Sequence, residues 1–450
     1  MMKKIMKQML ALVVAVVMVT AFSCPVFAEV ADINTLIEKM NRLELENKQL
    51  RTELDTVKIK VSSIQSVEKP GTKTISAPLP ANSITSKPPV SFYGFIKGDA
   101  IYNDSTISSL GSTSQRLGTN NKKNETILSA KDTRLGLDIN GPEILGGGKT
   151  VGKFEMDFWG GWGAWAATAA SSAAINDGSN SPLMRMRLAY VDLVYENWDV
   201  LMGQNWDFFS PLNPSTLNFD VMWRQGNLGD RHPQLTGTRV FKDVLNGTVK
   251  VKGGVLSSSM TQISTGLPVF AGYVDYDSKW RDIPVYFGVG SLFGKERANE
   301  ITSSIERSIW GITGSYKISP IKGVTVSGEG YLGQNLANFR GGSPTSMILR
   351  PNGTVSSIRS NGGWSQVAWR PICYKKLELA GGLGADNLNT DGIATTTGVW
   401  DYNMTYFSNI KYDLGDNVTV GLEYQRFGTK YEQQAGGNGN RVQSSLIYKF

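Results

Sequence analysis

The chain has 450 residues, of which 19% are charged, with 49 glycines and an aromatic set of 11 Trp, 16 Tyr and 17 Phe. Ordinary soluble domains carry about 25% charge and about 7% glycine, so the composition points away from that class. The formal net charge is +7; without Lys3, Lys4 and Lys7, 43 basic residues face 39 acidic ones, and no basic cluster suggests a nucleic-acid partner.

The N-terminus reads as a secretory leader, residues 1–28. Lys3, Lys4 and Lys7 form a basic start, Leu10 to Phe22 is an apolar run, and Val26-Phe27-Ala28 is a small-residue cleavage site before Glu29. The run is shorter than the ~20 residues of a spanning helix. A lipoprotein reading through Cys24 is weakened by Phe22 and Ser23, which make a poor lipobox. No later stretch resembles a spanning helix, so a mature chain that enters a membrane must do so as a closed barrel.

Residues 29–67 read as a coiled coil. Positions a are Ile33, Met40, Asn47, Leu54 and Val61; positions d are Leu36, Leu43, Leu50, Val57 and Ile64. Only Asn47 breaks the apolar seam, and a polar a position fixes register at a cost in stability. Lys39 with Glu44, Glu46 with Arg51, and Glu53 with Lys58 are opposite in sign across g and e, which favours parallel association. The heptads leave dimer and trimer open, and also a long amphipathic helix packed on its own domain. Residues 68–90 form a Pro/Ser/Thr-rich linker with Pro70, Pro78, Pro80, Pro88 and Pro89.

From Ser91 the chain falls into alternating runs. Phe154, Met156 and Phe158 oppose Lys153, Glu155 and Asp157; Val418, Val420, Leu422 and Tyr424 oppose Thr419, Glu423 and Gln425. Period two with one apolar face is the signature of a half-buried strand. Sixteen strands are predicted, near 91–103, 125–140, 150–160, 183–196, 199–206, 236–243, 247–257, 270–279, 283–294, 306–319, 322–334, 360–371, 374–386, 399–413, 416–428 and 440–450. Connections after even-numbered strands are mostly very short, as at Asn197-Trp198 and Leu414-Gly415. Those after odd-numbered strands are mostly long, as at 105–124, 161–182, 207–235 and 335–359. Short periplasmic turns alternating with long outer loops belong to a transmembrane barrel. The fold class is therefore all-β: a 16-stranded antiparallel transmembrane β-barrel over 91–450, preceded by an α-helical coiled coil in the periplasm. The last strand, Arg441 to Phe450, is expected to close on 91–103, with Arg441 and Lys449 inward and Phe450 at the periplasmic interface.

Four segments carry a family resemblance: D-T-R-L-G-L-D-I-N-G at 132–141, K-F-E-M-D-F-W-G at 153–160, R-M-R-L-A-Y-V-D at 185–192 and G-Q-N-W-D-F-F-S-P at 203–211. With a coiled coil ahead of the barrel, the chain resembles the DcaP-like outer-membrane porins of Gram-negative bacteria. The resemblance implies a homotrimer of sixteen-stranded barrels whose lumen admits small organic anions such as dicarboxylates. A terminal aromatic such as Phe450 likewise resembles the signal read by the outer-membrane barrel assembly machinery. No individual ligand residue is carried over.

The connection 207–235 is rich in Pro, Asn, Trp and Phe, an odd composition for a loop left in water. It is expected to fold into the barrel mouth as a constriction, with Phe219 and Trp223 packing on the wall; a loop lying across the rim or clasping a neighbour is the other reading. Arg134, Arg185 and Arg187 lie on polar faces, Arg224 and Arg231 in the loop and Arg239 on the next strand. Arginine forks suit carboxylates and phosphates, so these six are the pore-lining candidates for anion selectivity, unless Asp132, Glu155, Asp157 and Asp192 merely balance them. The one histidine, His232, is read as a loop residue and Cys373 as a turn residue. No catalytic set, metal-ligand spacing or cofactor motif is present, so an enzyme is not expected. The alternative role is a structural anchor whose coil tethers or spaces the envelope, touching the cell wall.

Overall fold

The computed structural model describes residues 88–105, 107–108, 115–116, 124–160, 182–257, 266–299, 304–342, 346–349, 354–389, 400–431 and 436–450. The leader, the coiled coil with its ten heptad positions, and the linker up to residue 87 lie outside them.

Sixteen antiparallel strands close into a barrel. In chain order they are β1 Val90–Asn103, β2 in two pieces Glu125–Ser129 and Arg134–Ile144, β3 Gly148–Gly160, β4 Leu183–Val194, β5 Trp198–Trp206, β6 Arg231–Val244, β7 Gly247–Leu256 and β8 Val269–Trp280. Then follow β9 Ile283–Asn299, β10 Ser304–Ile321, β11 Val324–Gln334, β12 Arg359–Trp369, β13 Leu377–Asn389, β14 Trp400–Asp413, β15 Val418–Tyr431 and β16 Gly437–Lys449. Each strand pairs with its neighbours in sequence. Closure is made by β16 on β1, with Phe95 opposite Lys449 and Asn103 opposite Arg441. Phe450 continues the seam: its backbone exchanges two 3.1 Å hydrogen bonds with Gly94, and its ring stacks 5.3 Å from Phe92.

All sixteen predicted runs coincide with strands. The largest boundary differences are at β6, which starts at Arg231 rather than near 236, and at β9, which runs to Asn299 rather than 294. His232 is therefore a strand residue, 1% exposed, and not a loop residue. Pro233 is tolerated because it lies near the start of the strand, beyond the last ladder pair with β7, Gln234 with Leu256, where a backbone N–H is not required. The long and short connections alternate as expected, except that 300–303 and 432–436 are short. Two of the tight turns have positive φ at both central residues, Leu245–Asn246 and Arg281–Asp282. That is the hairpin geometry whose twist matches the flanking strands.

The alternation turns the usual protein inside out. Phe92, Ile96, Val274, Val289, Phe293, Leu422 and Leu446 stand exposed on the outer face, while Lys97, Asp99, Glu155, Asp157, Glu329, Glu423 and Arg441 are buried within. Water satisfies neither pattern as well as a lipid-facing band around a polar interior does. Trp198, Trp280, Tyr374, Tyr412 and Tyr448 are exposed near the short-turn end, where an aromatic girdle meets the headgroups.

Candidate pore site

The long connection between β5 and β6 runs from Asp207 to Asp230, and its neck is tied shut. The Asp207 N–H donates to the Asp230 carbonyl at 2.8 Å, and the Asp230 N–H donates to Asp207 Oδ2 at 2.8 Å. Asp207 Oδ1 lies 2.7 Å from His232 Nδ1. Burial pushes the Asp207 carboxyl up, against the pull of His232. Burial opposes the charge of Asp230 as well, but there the Arg340 and Arg231 guanidiniums outweigh it and hold the carboxyl well below the usual range.

From this neck the chain runs along the inner wall. The Phe209 carbonyl accepts from Thr313 on β10. Ser210 Oγ and the Leu212 N–H donate to Glu329 of β11 at 2.7 and 2.8 Å. The Ser215 N–H donates to Gln366 of β12 at 2.7 Å, and the Ser215 carbonyl accepts from Asn409 of β14 at 2.7 Å. The Leu217 and Asn218 N–H groups donate to Glu423 of β15 at 2.6 and 3.0 Å. The Leu217 carbonyl accepts from Lys97 of β1 at 2.7 Å and Gln443 of β16 at 3.2 Å. Phe219 then stacks 5.5 Å from Trp159 of β3. On the return, Asn403 of β14 donates to the Arg224 carbonyl at 2.8 Å, Thr405 to Gln225, and Trp364 of β12 to Asn227 at 3.0 Å.

Two local features make this path possible. Val221, Met222 and Arg224 adopt positive φ, a costly conformation for non-glycine residues, and the Asn227 side chain holds the bend by donating to the Val221 carbonyl at 2.8 Å. Gly384 of β13 lets the loop backbone approach, since a Cβ there would collide with the Gln225 carbonyl. The carboxylates of Glu329 and Glu423 thus serve backbone amides of the loop and the Ser210 hydroxyl rather than directly bonded basic partners.

The arginines gather on the facing sector. Arg185 forks onto Asp157 with bonds of 3.0 and 2.7 Å. Arg187 donates to Glu155 at 2.7 Å and Asp157 at 2.9 Å, and Arg134 lies 3.5 Å from Glu155. Phe219 sits beneath the guanidiniums of Arg185 and Arg187, at 5.4 and 5.5 Å. Arg231 lies 3.3 Å from Asp230, whose other oxygen takes the Arg340 Nε at 2.6 Å. Trp223 lies between Arg340, at 4.9 Å, and Arg231, at 5.8 Å. Five arginines, at 134, 185, 187, 231 and 340, therefore share three carboxylates, Glu155, Asp157 and Asp230. Arg224 stands near Arg340, and burial and that neighbour push its guanidinium down to about 10.

Arg239 does not join them. It is exposed on the face of β6 shared with Leu235 and Phe241, opposite Trp198 and Val251. Near the short-turn end an outward arginine reaches the headgroup layer, so nothing forces it inward. Of the residues balancing the arginines, Asp132 is engaged by Lys97 at 2.6 Å and by Trp159 at 2.9 Å. Arg340 and Trp206 were not singled out from the sequence. Trp206 enters only as part of the segment 203–211 and Arg340 carries no motif; the folded loop brings both beside Trp223. Among the described residues no group of three His, Cys, Asp or Glu side chains is placed to hold a metal.

The barrel is similar to the outer membrane channel DcaP of Acinetobacter baumannii, with a TM-score of 0.62 and 18% identity over 82% of this chain and 99% of that one. An anion-selective porin from Comamonas acidovorans aligns with a TM-score of 0.52 and 14% identity, over 81% of this chain and 100% of its own. OprB of Pseudomonas putida aligns with a TM-score of 0.52 and 10% identity, over 80% and 94%. No family model and no curated protein sequence matches the chain. The likenesses establish the fold, that of the Gram-negative porins, and the expected resemblance to the DcaP-like channel holds at that level.

Proposed function

We propose that this chain is an outer-membrane diffusion channel for small hydrophilic solutes, favouring small organic anions such as dicarboxylates. The observation that carries the reading is the division of charge inside the barrel. The acidic wall residues Glu329 and Glu423 are occupied by loop N–H and hydroxyl donors, while Arg134 of β2, Arg185 and Arg187 of β4, Arg231 at the start of β6 and Arg340 pair with three carboxylates between them. An excess of fixed positive charge in a narrow polar passage favours anions. In this reading the loop 207–230 is the constriction, with Phe219 and Trp223 at its inner edge and Arg134, Arg185, Arg187, Arg224 and Arg231 setting selectivity. The Comamonas relative, named as anion-selective, supports the same direction.

The chain is further proposed to assemble as a homotrimer, with the coil 29–67 in the periplasm and Phe450 read by the assembly machinery. The opposing role is a plugged anchor, and the extent of the loop's attachment to the wall is what favours considering it. Liposome swelling separates the two. A channel admits succinate and, more slowly, a neutral solute of the same size; liposomes that swell with neither would identify an anchor.

A further inference from the structure

Away from the arginines, a second set of polar side chains converges inside the barrel. A cavity of about 340 Å³ is lined by Leu212 of the loop, Asp277 of β8, Pro284 and Tyr286 of β9, and Lys317 and Ser319 of β10. That volume is at the lower end of those that hold small molecules. Strand pairing explains the convergence. Asp277 stands opposite Tyr286, and Tyr286 opposite Lys317, in one row across the wall. Residues directly opposite share a face, and the buried Tyr273, Asp275, Thr313 and Ser315 mark that face of β8 and β10 as the inner one. Both strands run on from this row into short turns, so the cavity lies at the short-turn end.

The two charges of the row are held apart. Two strand spacings separate Asp277 from Lys317, roughly 10 Å at Cα. Both residues are exposed, and among the described residues neither side chain has a hydrogen-bond or ion-pair partner. In the adjacent row Asp275 stands opposite a lysine of its own, Lys250. Between the two charges the Tyr286 ring is fixed. Its hydroxyl lies 2.7 Å from that of Tyr273, which lies 2.5 Å from Ser315 Oγ. Glycine at 288 makes room for this, since a Cβ there would collide with the Tyr273 hydroxyl. Leu212 is fixed as well, by its N–H bond of 2.8 Å to Glu329. A carboxylate and an ammonium thus flank a held aromatic ring, with an apolar wall supplied by the loop.

Such a row discriminates by charge pattern. A dicarboxylate meets repulsion from Asp277 and a diamine meets it from Lys317, whereas a zwitterion finds an opposite charge for each end. The face of a tyrosine ring attracts an ammonium group, and Leu212 and Pro284 favour an apolar substituent. We propose that Asp277, Tyr286, Lys317 and Leu212 form a binding site for a zwitterionic α-amino acid with an apolar side chain. Asp277 and the Tyr286 ring take the ammonium, Lys317 takes the carboxylate and Leu212 packs on the side chain. The site goes beyond the anion-favouring passage, because it uses other residues and needs both charges of the solute.

Ligand-observed saturation-transfer NMR on the detergent-solubilised full-length protein tests the site, with L-phenylalanine as the probe and protein-free micelles as the blank. The ring protons should gain saturation that levels off with concentration. Phenethylamine, which lacks the carboxylate, should bind about tenfold more weakly. Asp277→Asn and Lys317→Met should each weaken phenylalanine by about tenfold. Both positions are exposed, and if one variant fails to assemble the other decides. Succinate should not displace the probe. No saturable signal, equal binding of phenethylamine, or unchanged affinity in the assembled variants overturns the site, and so does displacement by succinate, which places the probe among the arginines. The readout needs no ion flow, so a barrel that failed to conduct would overturn the channel reading and leave this site standing.

Discussion

Glu423→Ala tests whether the loop is held across the lumen by a wall carboxylate. Glu423 accepts the Leu217 N–H at 2.6 Å, the Asn218 N–H at 3.0 Å and the Asn409 side chain at 2.9 Å. Hydrogen bonds to a charged group are worth about 1.5–3 kcal/mol each, so losing the two loop bonds removes about 3–6 kcal/mol of gross anchoring. Lys97, Gln443 and Gln425 still hold Leu217 and Asn218, which makes detachment partial rather than complete. Even about 3 kcal/mol raises the population of a detached arm by about a hundredfold. Single-channel recording should show higher mean conductance and more open-state noise than the parent protein. Glu423→Gln keeps one acceptor oxygen but presents an N–H to the other amide, so it should fall between. Identical conductance and noise in Glu423→Ala and the parent would refute the idea that this segment limits the passage.

Three further outcomes are expected. Replacing Arg185 and Arg187 together by Ala leaves Asp157 and Glu155 without their closest cations and should move the reversal potential in a salt gradient towards cations; an unmoved potential would remove these arginines from the selectivity set. The depressed carboxyl of Asp230 stabilises the fold above the ordinary Asp range, about 3.9, and that contribution is lost as pH falls below it through the native value. The melting temperature in detergent should therefore drop on acidification, and Arg340→Gln should flatten this acid limb; parallel limbs would exclude the pair as its source. Phe450→Ala removes the ring stacked on Phe92 and should lower the heat-modifiable, folded fraction recovered from membranes, with an unchanged fraction counting against the seam's importance.

The strands were legible because a barrel wall imposes period two on every one of them, and the composition of each run records which side meets lipid. Closure followed from the same logic, since an even number of strands must bring 441–450 to 91–103. The loop's path was not legible. Its partners lie far away in sequence, as with Leu217 and Glu423, and an acidic residue on an inner wall looks the same whether it meets water or an amide. Arg239 shows the complementary limit. The stretch Thr236 to Lys242 has no clean period, so only its pairing with β5 and β7 fixes its face. The odd apolar content of 207–230 was the one sequence signal that this connection does not lie free in water.

The measurement that bears most directly on function is the zero-current potential of the reconstituted full-length protein across a potassium chloride gradient. An excess of arginine over free carboxylate at the loop should give the sign of preferential chloride flow, and the preference should weaken as ionic strength rises and screens the fixed charge. A potential with the sign of potassium selectivity would contradict the proposed anion-favouring channel.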